Sequence, residues 1–380
     1  MRISTRLIIA LLFSWAIYSA VDYVTVRNWN NNDSLIINVI ETGVEKEIAP
    51  AYEGEENLEE DSDEFYPMTE QEITFSPVSD FDDTHEHKIK IVRLIGSGVD
   101  VKAGGRYLLV WDMFDDGTIQ YSIADKFRVP SVIFFIVVVC FVLIAMTGRR
   151  GILALAGLIF SICILIFAMI PLITKGWRPV PLAMLSVFII STVTIFFVVK
   201  HARYRLVALL GSLAGVTGGF IVAAVTVYFW QLTGLAGEGA ALLASTLPNL
   251  NMTGIFLAAV LVGAIGAVLD VGISITASMS ELVDYDNDIP LDRLLRAGLN
   301  VGTEVLGSMI NTLILAYIGS ALPMAILISN AGANFVGLLN DPYVGQEIVQ
   351  SIAGTLGLLF TIPATAFFFV IQEGIKRRGE

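Results

Sequence analysis

A chain of 380 residues with 55% hydrophobic and only 16% charged side chains, and a mean hydropathy of +0.73, is too apolar for an ordinary soluble protein. The net charge of −13 is concentrated, because residues 22–128 hold 24 of the 36 acidic and 9 of the 23 basic side chains, a local charge of −15. An acidic segment of this kind repels phosphate backbones and argues against nucleic acid as a partner. The two cysteines, Cys140 and Cys163, both fall in apolar runs and give neither a disulfide framework nor a zinc site.

In chain order, Arg2 and Arg6 precede the apolar run Leu7 to Val21. Residues 1–22 read as an N-terminal transmembrane anchor, with a signal peptide as the alternative, because no small residue stands at the required position before Ser19 or Ala20. Residues 23–128 read as an acidic, β-rich extracytoplasmic domain. Its strand signals lie in Ile73 to Phe75, Lys88 to Leu94, Tyr107 to Met113 and Thr118 to Ile123, separated by turn signals such as Ala103-Gly104-Gly105 and Asp115-Asp116-Gly117. A small barrel or sandwich is the expected result. The tract Glu53 to Glu64 reads as a solvated loop, since like charges at that density bury nothing. Asp82, His85 and His87 have the ligand types of a transition-metal site, against the alternative of a loop that gathers them by chance.

Seven apolar runs follow, at about 130–146, 152–173, 180–199, 207–230, 254–280, 299–329 and 348–371, each near the roughly 20 residues that a helix needs to cross a bilayer. Residues 129–374 are thus expected to form a seven-helix bundle, and 375–380 a basic cytoplasmic tail. The predicted fold class is an α-helical polytopic membrane protein of about eight transmembrane helices with a small β-rich extracytoplasmic domain. With the N-terminus inside, twelve Lys and Arg of the short segments fall on the inner side and only Lys175 and Arg178 on the outer side. Both termini are then cytoplasmic.

Two ionisable groups fall deep inside these runs, where a charge costs roughly 2.5 to 3.5 kcal/mol on insertion scales. Asp270 shares a helical stripe with Gly263, Gly266, Ser274, Ala277 and Glu281, and Glu304 shares one with Ser308 and Asn311. At 1.5 Å per residue the two acids differ in depth by about 6 Å if the helices pair antiparallel across the loop 282–298. No Lys or Arg lies at that depth. The pair is expected to hold a proton or a small cation, with Ser274, Ser308 and Asn311 as hydrogen-bonding neighbours; the alternative is two protonated acids that join helices structurally.

Gly211, Gly215 and Gly219 repeat every four residues, a pattern that close helix packing explains, and Gly263 and Gly266 of the Asp270 stripe are expected to be packing glycines too. Pro323 marks a possible break in a run longer than a crossing requires, and Pro363 a second one. The inner loop Glu281 to Asp292 reads as solvated. Nucleotide-binding, zinc-protease and serine-hydrolase signatures are absent, so no enzyme activity and no cofactor are expected.

The segments Gly263-Ala-Ile-Gly-Ala-Val-Leu-Asp270-Val-Gly-Ile-Ser and Gly302-Thr-Glu304-Val-Leu-Gly-Ser-Met-Ile-Asn311-Thr312 resemble the YibE/F family of bacterial membrane proteins. The resemblance implies the same layout of N-terminal segment, small outer β domain and helical bundle in a bacterial plasma membrane. It implies a permease-like role, with aspartate a frequent residue at the position of Glu304. The expected function is a multi-pass permease or a proton- or cation-coupled transporter. The alternative is a non-transporting scaffold or receptor whose outer domain binds a protein partner.

Overall fold

Strand pairing turns the acidic segment before the apolar runs into a closed barrel. The computed structural model describes residues 34–43, 46–48, 68–78, 87–94, 100–113, 119–330 and 335–379, and the chain divides into two units, Met1–Gly148 and Arg149–Glu380. In the first unit the strands are β1 (Ser34–Thr42), β2 (Lys46–Ile48), β3 (Met68–Pro77), β4 (His87–Leu94), β5 (Arg106–Met113) and β6 (Ile119–Lys126). Antiparallel pairs β1–β3, β3–β4, β5–β6 and β1–β5 are joined by one parallel pair, β4–β6, so five strands close on themselves while β2 adds three residues alongside β3. This closed five-stranded Greek-key plan is that of an OB-fold.

The barrel interior is built from Ile37, Val39, Ile73, Phe75, Ile91, Val101, Tyr107 and Leu109. At one end Gly104 takes φ +80° to make the expected turn, and the Tyr107 hydroxyl accepts from Lys102 N (2.9 Å) and donates to Asp100 O (3.2 Å). The exposed Lys102 ammonium donates a hydrogen bond to the nearby Asp100 carboxylate, which holds it above its usual range. Strand β1 is absent from the sequence expectation because Ile36 and Ile37 are both fully buried, which removes the alternation that marks a strand with one wet face. The first unit ends with helix α1 (Val129–Thr147), long and apolar enough to cross a membrane.

The second unit holds α2 (Arg149–Ile164), α3 (Ile170–Thr174), α4 (Pro179–Val198), α5 (Arg205–Trp230), α6 (Glu238–Thr246), α7 (Met252–Tyr285), α8 (Leu291–Asn330), α9 (Phe335–Asn340) and α10 (Pro342–Gly379). A π-helical turn, Leu165–Met169, joins α2 to α3 just before Pro171, the ring that an uninterrupted α-helix would not fit. With α1, seven helical spans among the described residues are long and apolar enough to cross a membrane; the expected first segment, 1–22, lies outside the described residues. Pro323 and Pro363 break nothing: α8 and α10 run through them. Nor does the last helix stop at 374, because α10 carries Lys376, Arg377 and Arg378 on its final turns.

Close packing centres on α5, α7 and α10, with α4 against α7 and α8 against α7 and α10. A Cβ at Gly211 would collide with Thr365, one at Gly215 with Thr361, and one at Gly219 would stand 2.5 Å from the Ala353 carbonyl oxygen. The glycine stripe of α5 therefore lies antiparallel against Ala353, Gly357, Thr361 and Thr365 of α10, a second row of small residues at the same spacing. Thr361 satisfies its hydroxyl on the Gly357 carbonyl at 2.7 Å, the usual solution for a buried hydroxyl on a helix.

Candidate functional site

Asp270 and Glu304 sit on two neighbouring helices that run antiparallel. A Cβ at Gly298 would contact Met279, and one at Gly302 would stand 3.0 Å from Ile275, which fixes how α8 lies along α7. Asp270 is fifteen residues before Tyr285 and Glu304 thirteen after Leu291, heights of roughly 22 and 20 Å above the joined ends. The sequence stripe on α7 is real as a face: Gly263, Gly266, Asp270, Ala277 and Glu281 are all exposed. On α8 the exposed face carries Asn300, Thr303, Glu304, Gly307, Ser308, Asn311 and Thr312, then turns apolar from Leu315 through Ile318 and Leu322.

Both acids therefore lie on a face that no other part of the described bundle covers. Helical periodicity places residues on one face but says nothing of what covers that face. Among the described residues a Cβ at Gly266 or Gly307 would meet nothing within 4 Å, so Gly266 packs against none of them, and Gly263 approaches only the Tyr317 hydroxyl. The expected hydrogen-bonding neighbours are also not engaged with the carboxylates. Ser308 donates to its own helix at Val305 O (2.9 Å), and no hydrogen bond or ion pair joins Asp270 or Glu304 to Ser274, Asn311 or any other side chain among the described residues.

The stretch that contains both acid-bearing helices matches the YibE/F-like protein family, with residues 135–373 aligned. The chain belongs to the YibE/F-like family. Neither the curated proteins nor the solved structures gave a match.

In this YibE/F-like chain the most elaborate polar cluster is one that helical pattern alone does not reveal. Glu373 of α10 is 1% exposed and accepts from the Tyr204 hydroxyl at 3.0 Å, with Lys376 Nζ at 3.4 Å and Arg377 Nε at 3.6 Å. Tyr204 stacks on Phe369 at 4.3 Å between centroids, and the Arg203 guanidinium lies 4.4 Å over the Tyr204 ring. Gln372 donates to Arg203 O (2.5 Å), and Arg377 donates to Ile289 O (2.7 Å). The end of α10 thereby ties together the connections α4–α5 and α7–α8. The only sequence signal was Glu373 standing before three basic residues, at the i,i+3 and i,i+4 spacings of Lys376 and Arg377.

Of the proposed metal ligands, Asp82 and His85 lie outside the described residues. His87 opens β4 and stacks on Phe75 with ring centroids 5.6 Å apart. Among the described residues no group of three or more His, Cys, Asp or Glu is placed to hold a metal ion.

Proposed function

We propose that this protein is a multi-pass permease or a proton- or cation-coupled transporter, with Asp270 and Glu304 as the groups that take up the proton or cation. The observation that carries the reading is a polar face at mid-helix height, bearing two carboxylates with no basic partner among the described residues. Hydrocarbon solvates such a face poorly, so it is one wall of a path or interface completed by other protein or by water. Ser274, Ser308 and Asn311 offer hydroxyl and amide groups along the same wall. In this reading both termini are cytoplasmic, residues 23–128 lie outside a bacterial plasma membrane, and no enzymatic reaction or cofactor is involved.

The test is a proton-flux measurement in proteoliposomes loaded with a pH-sensitive dye. The wild-type chain should dissipate an imposed pH gradient faster than empty liposomes, and Asp270→Asn or Glu304→Gln should slow that rate at least tenfold while the protein still unfolds at its usual temperature. A wild-type rate equal to that of empty liposomes, or variants that match the wild type, would sink the reading.

A second reading, a receptor or scaffold that binds a partner outside the membrane, draws on the barrel. Its far mouth, opposite the β6–α1 junction, holds a cavity of about 320 Å³ lined by Leu35, Phe75, His87, Trp111, Ile119 and Tyr121. Binding of a partner to the protein with no flux would favour this second reading.

A further inference from the structure

A carboxylate that the sequence leaves in an outer loop sits instead against an apolar cavity in the helical unit. Helix α10 begins at Pro342, so Glu347 is in its second turn and inside the candidate span Pro342–Arg378. The cavity, about 320 Å³, lies between α8 and α10 beside α9 and is walled by Ile318, Leu322, Leu338 and Ile352, with Tyr317, Glu347 and Ser351 as its polar groups. Glu347 Oε2 accepts a hydrogen bond from Ser320 Oγ at 3.1 Å, and no Lys, Arg or His approaches it among the described residues.

We propose that this cavity binds a lipophilic organic cation, an amine or onium ion with apolar substituents, for which Glu347 is the counter-charge. A half-buried carboxylate set among apolar side chains within a candidate membrane span is costly without a cation, and an ammonium or onium charge beside it offsets that cost. The apolar walls match hydrocarbon substituents, the volume lies at the lower end of the roughly 300 to 1,000 Å³ of small-molecule sites, and the Tyr317 ring offers a face to a cation. A hard metal ion does not fit, since Ca²⁺ takes about six to eight oxygen ligands and only a carboxylate and three hydroxyls are near. Tyr317 also connects the cavity to the acid-bearing face: a Cβ at Gly263 would stand 3.1 Å from its hydroxyl, and Gly263 is seven residues, about 10 Å, from Asp270 on the same helix. That the bound cation is also carried rests on the permease reading; that it binds does not.

The experiment measures binding of tetraphenylphosphonium to the full chain in lipid nanodiscs, against empty nanodiscs, with tetraphenylborate as a probe of the same shape and opposite charge. Saturable phosphonium binding is expected, at least tenfold weaker in Glu347→Gln, whose amide still accepts from Ser320, and no saturable borate binding. Equal affinity of wild type and Glu347→Gln, or borate binding as tight as phosphonium binding, overturns the proposal and leaves a cavity for acyl chains. The borate comparison needs no variant, so the proposal remains testable if Glu347→Gln fails to fold. Because binding is read without flux, phosphonium binding that depends on Glu347 in a chain that moves no protons would uphold the site and remove the permease reading.

Discussion

Glu373 shows how a buried charge in a membrane protein is kept affordable: a tyrosine hydroxyl and two cations surround it within one end of the bundle. Removing one partner of a buried pair leaves the others uncompensated, an effect of about 3 to 5 kcal/mol. Glu373→Ala is expected to lose about 3 kcal/mol, toward the lower end because Lys376 and Arg377 keep partial access to solvent, read as a shift in denaturant midpoint in detergent. Glu373→Gln, which still accepts from Tyr204, should lose less. Asp270 and Glu304 are the opposite case, carboxylates with no such surroundings. Their positions were legible in the sequence because an acid inside an apolar run stands out at once. Glu373 and Glu347 were not, since both stand at the margins of their run, and what marks them is contact with residues far away in sequence: Tyr204, 169 positions from Glu373, and Ser320, 27 positions from Glu347.

Helix α5 meets α10 through two rows of small residues, so each lets the other's backbone approach closely. A side chain at Gly215 must displace Thr361 and the Gly357 backbone. Gly215→Val is expected to lower stability by about 2 kcal/mol or more, measured by thermal unfolding in detergent, whereas Gly266→Val, which meets open space, should change it little. Four of the strands were evident from alternation and turn residues; β1 was hidden by burial on both faces, and the closure of the barrel depends on its pairing with both β3 and β5. The prolines misled in a different way. Pro323 and Pro363 look like breaks because each lacks one backbone donor, yet a long helix tolerates the loss of a single bond when its neighbours hold it in place.

Taken whole, the second unit brings Arg203, Lys376 and Arg377 together at one end of the bundle. Arg203, Tyr204, Gln372, Glu373, Arg377 and Ile289 meet there, joining the connections that the charge bias assigns to the cytoplasm. A chain with Cys140 and Cys163 replaced by alanine should therefore label differently at two exposed positions. An impermeant maleimide added to intact cells is expected to modify Gln231→Cys at once and Tyr285→Cys only after permeabilisation; the reverse order would invert the proposed orientation.

The number and approximate extent of the apolar spans after residue 128, the β character of the segment before them and the family resemblance were all readable from the residues alone. These depend on local properties: a helix in lipid satisfies its own backbone, and hydropathy along the chain records that directly. Helix packing was needed to learn that the Asp270 and Glu304 stripe faces outward, that Glu373 is enclosed by the connections α4–α5 and α7–α8, and that Glu347 borders a cavity. Periodicity gives each helix its faces, but which face a neighbour covers follows from packing between segments distant in sequence, and no local pattern encodes it.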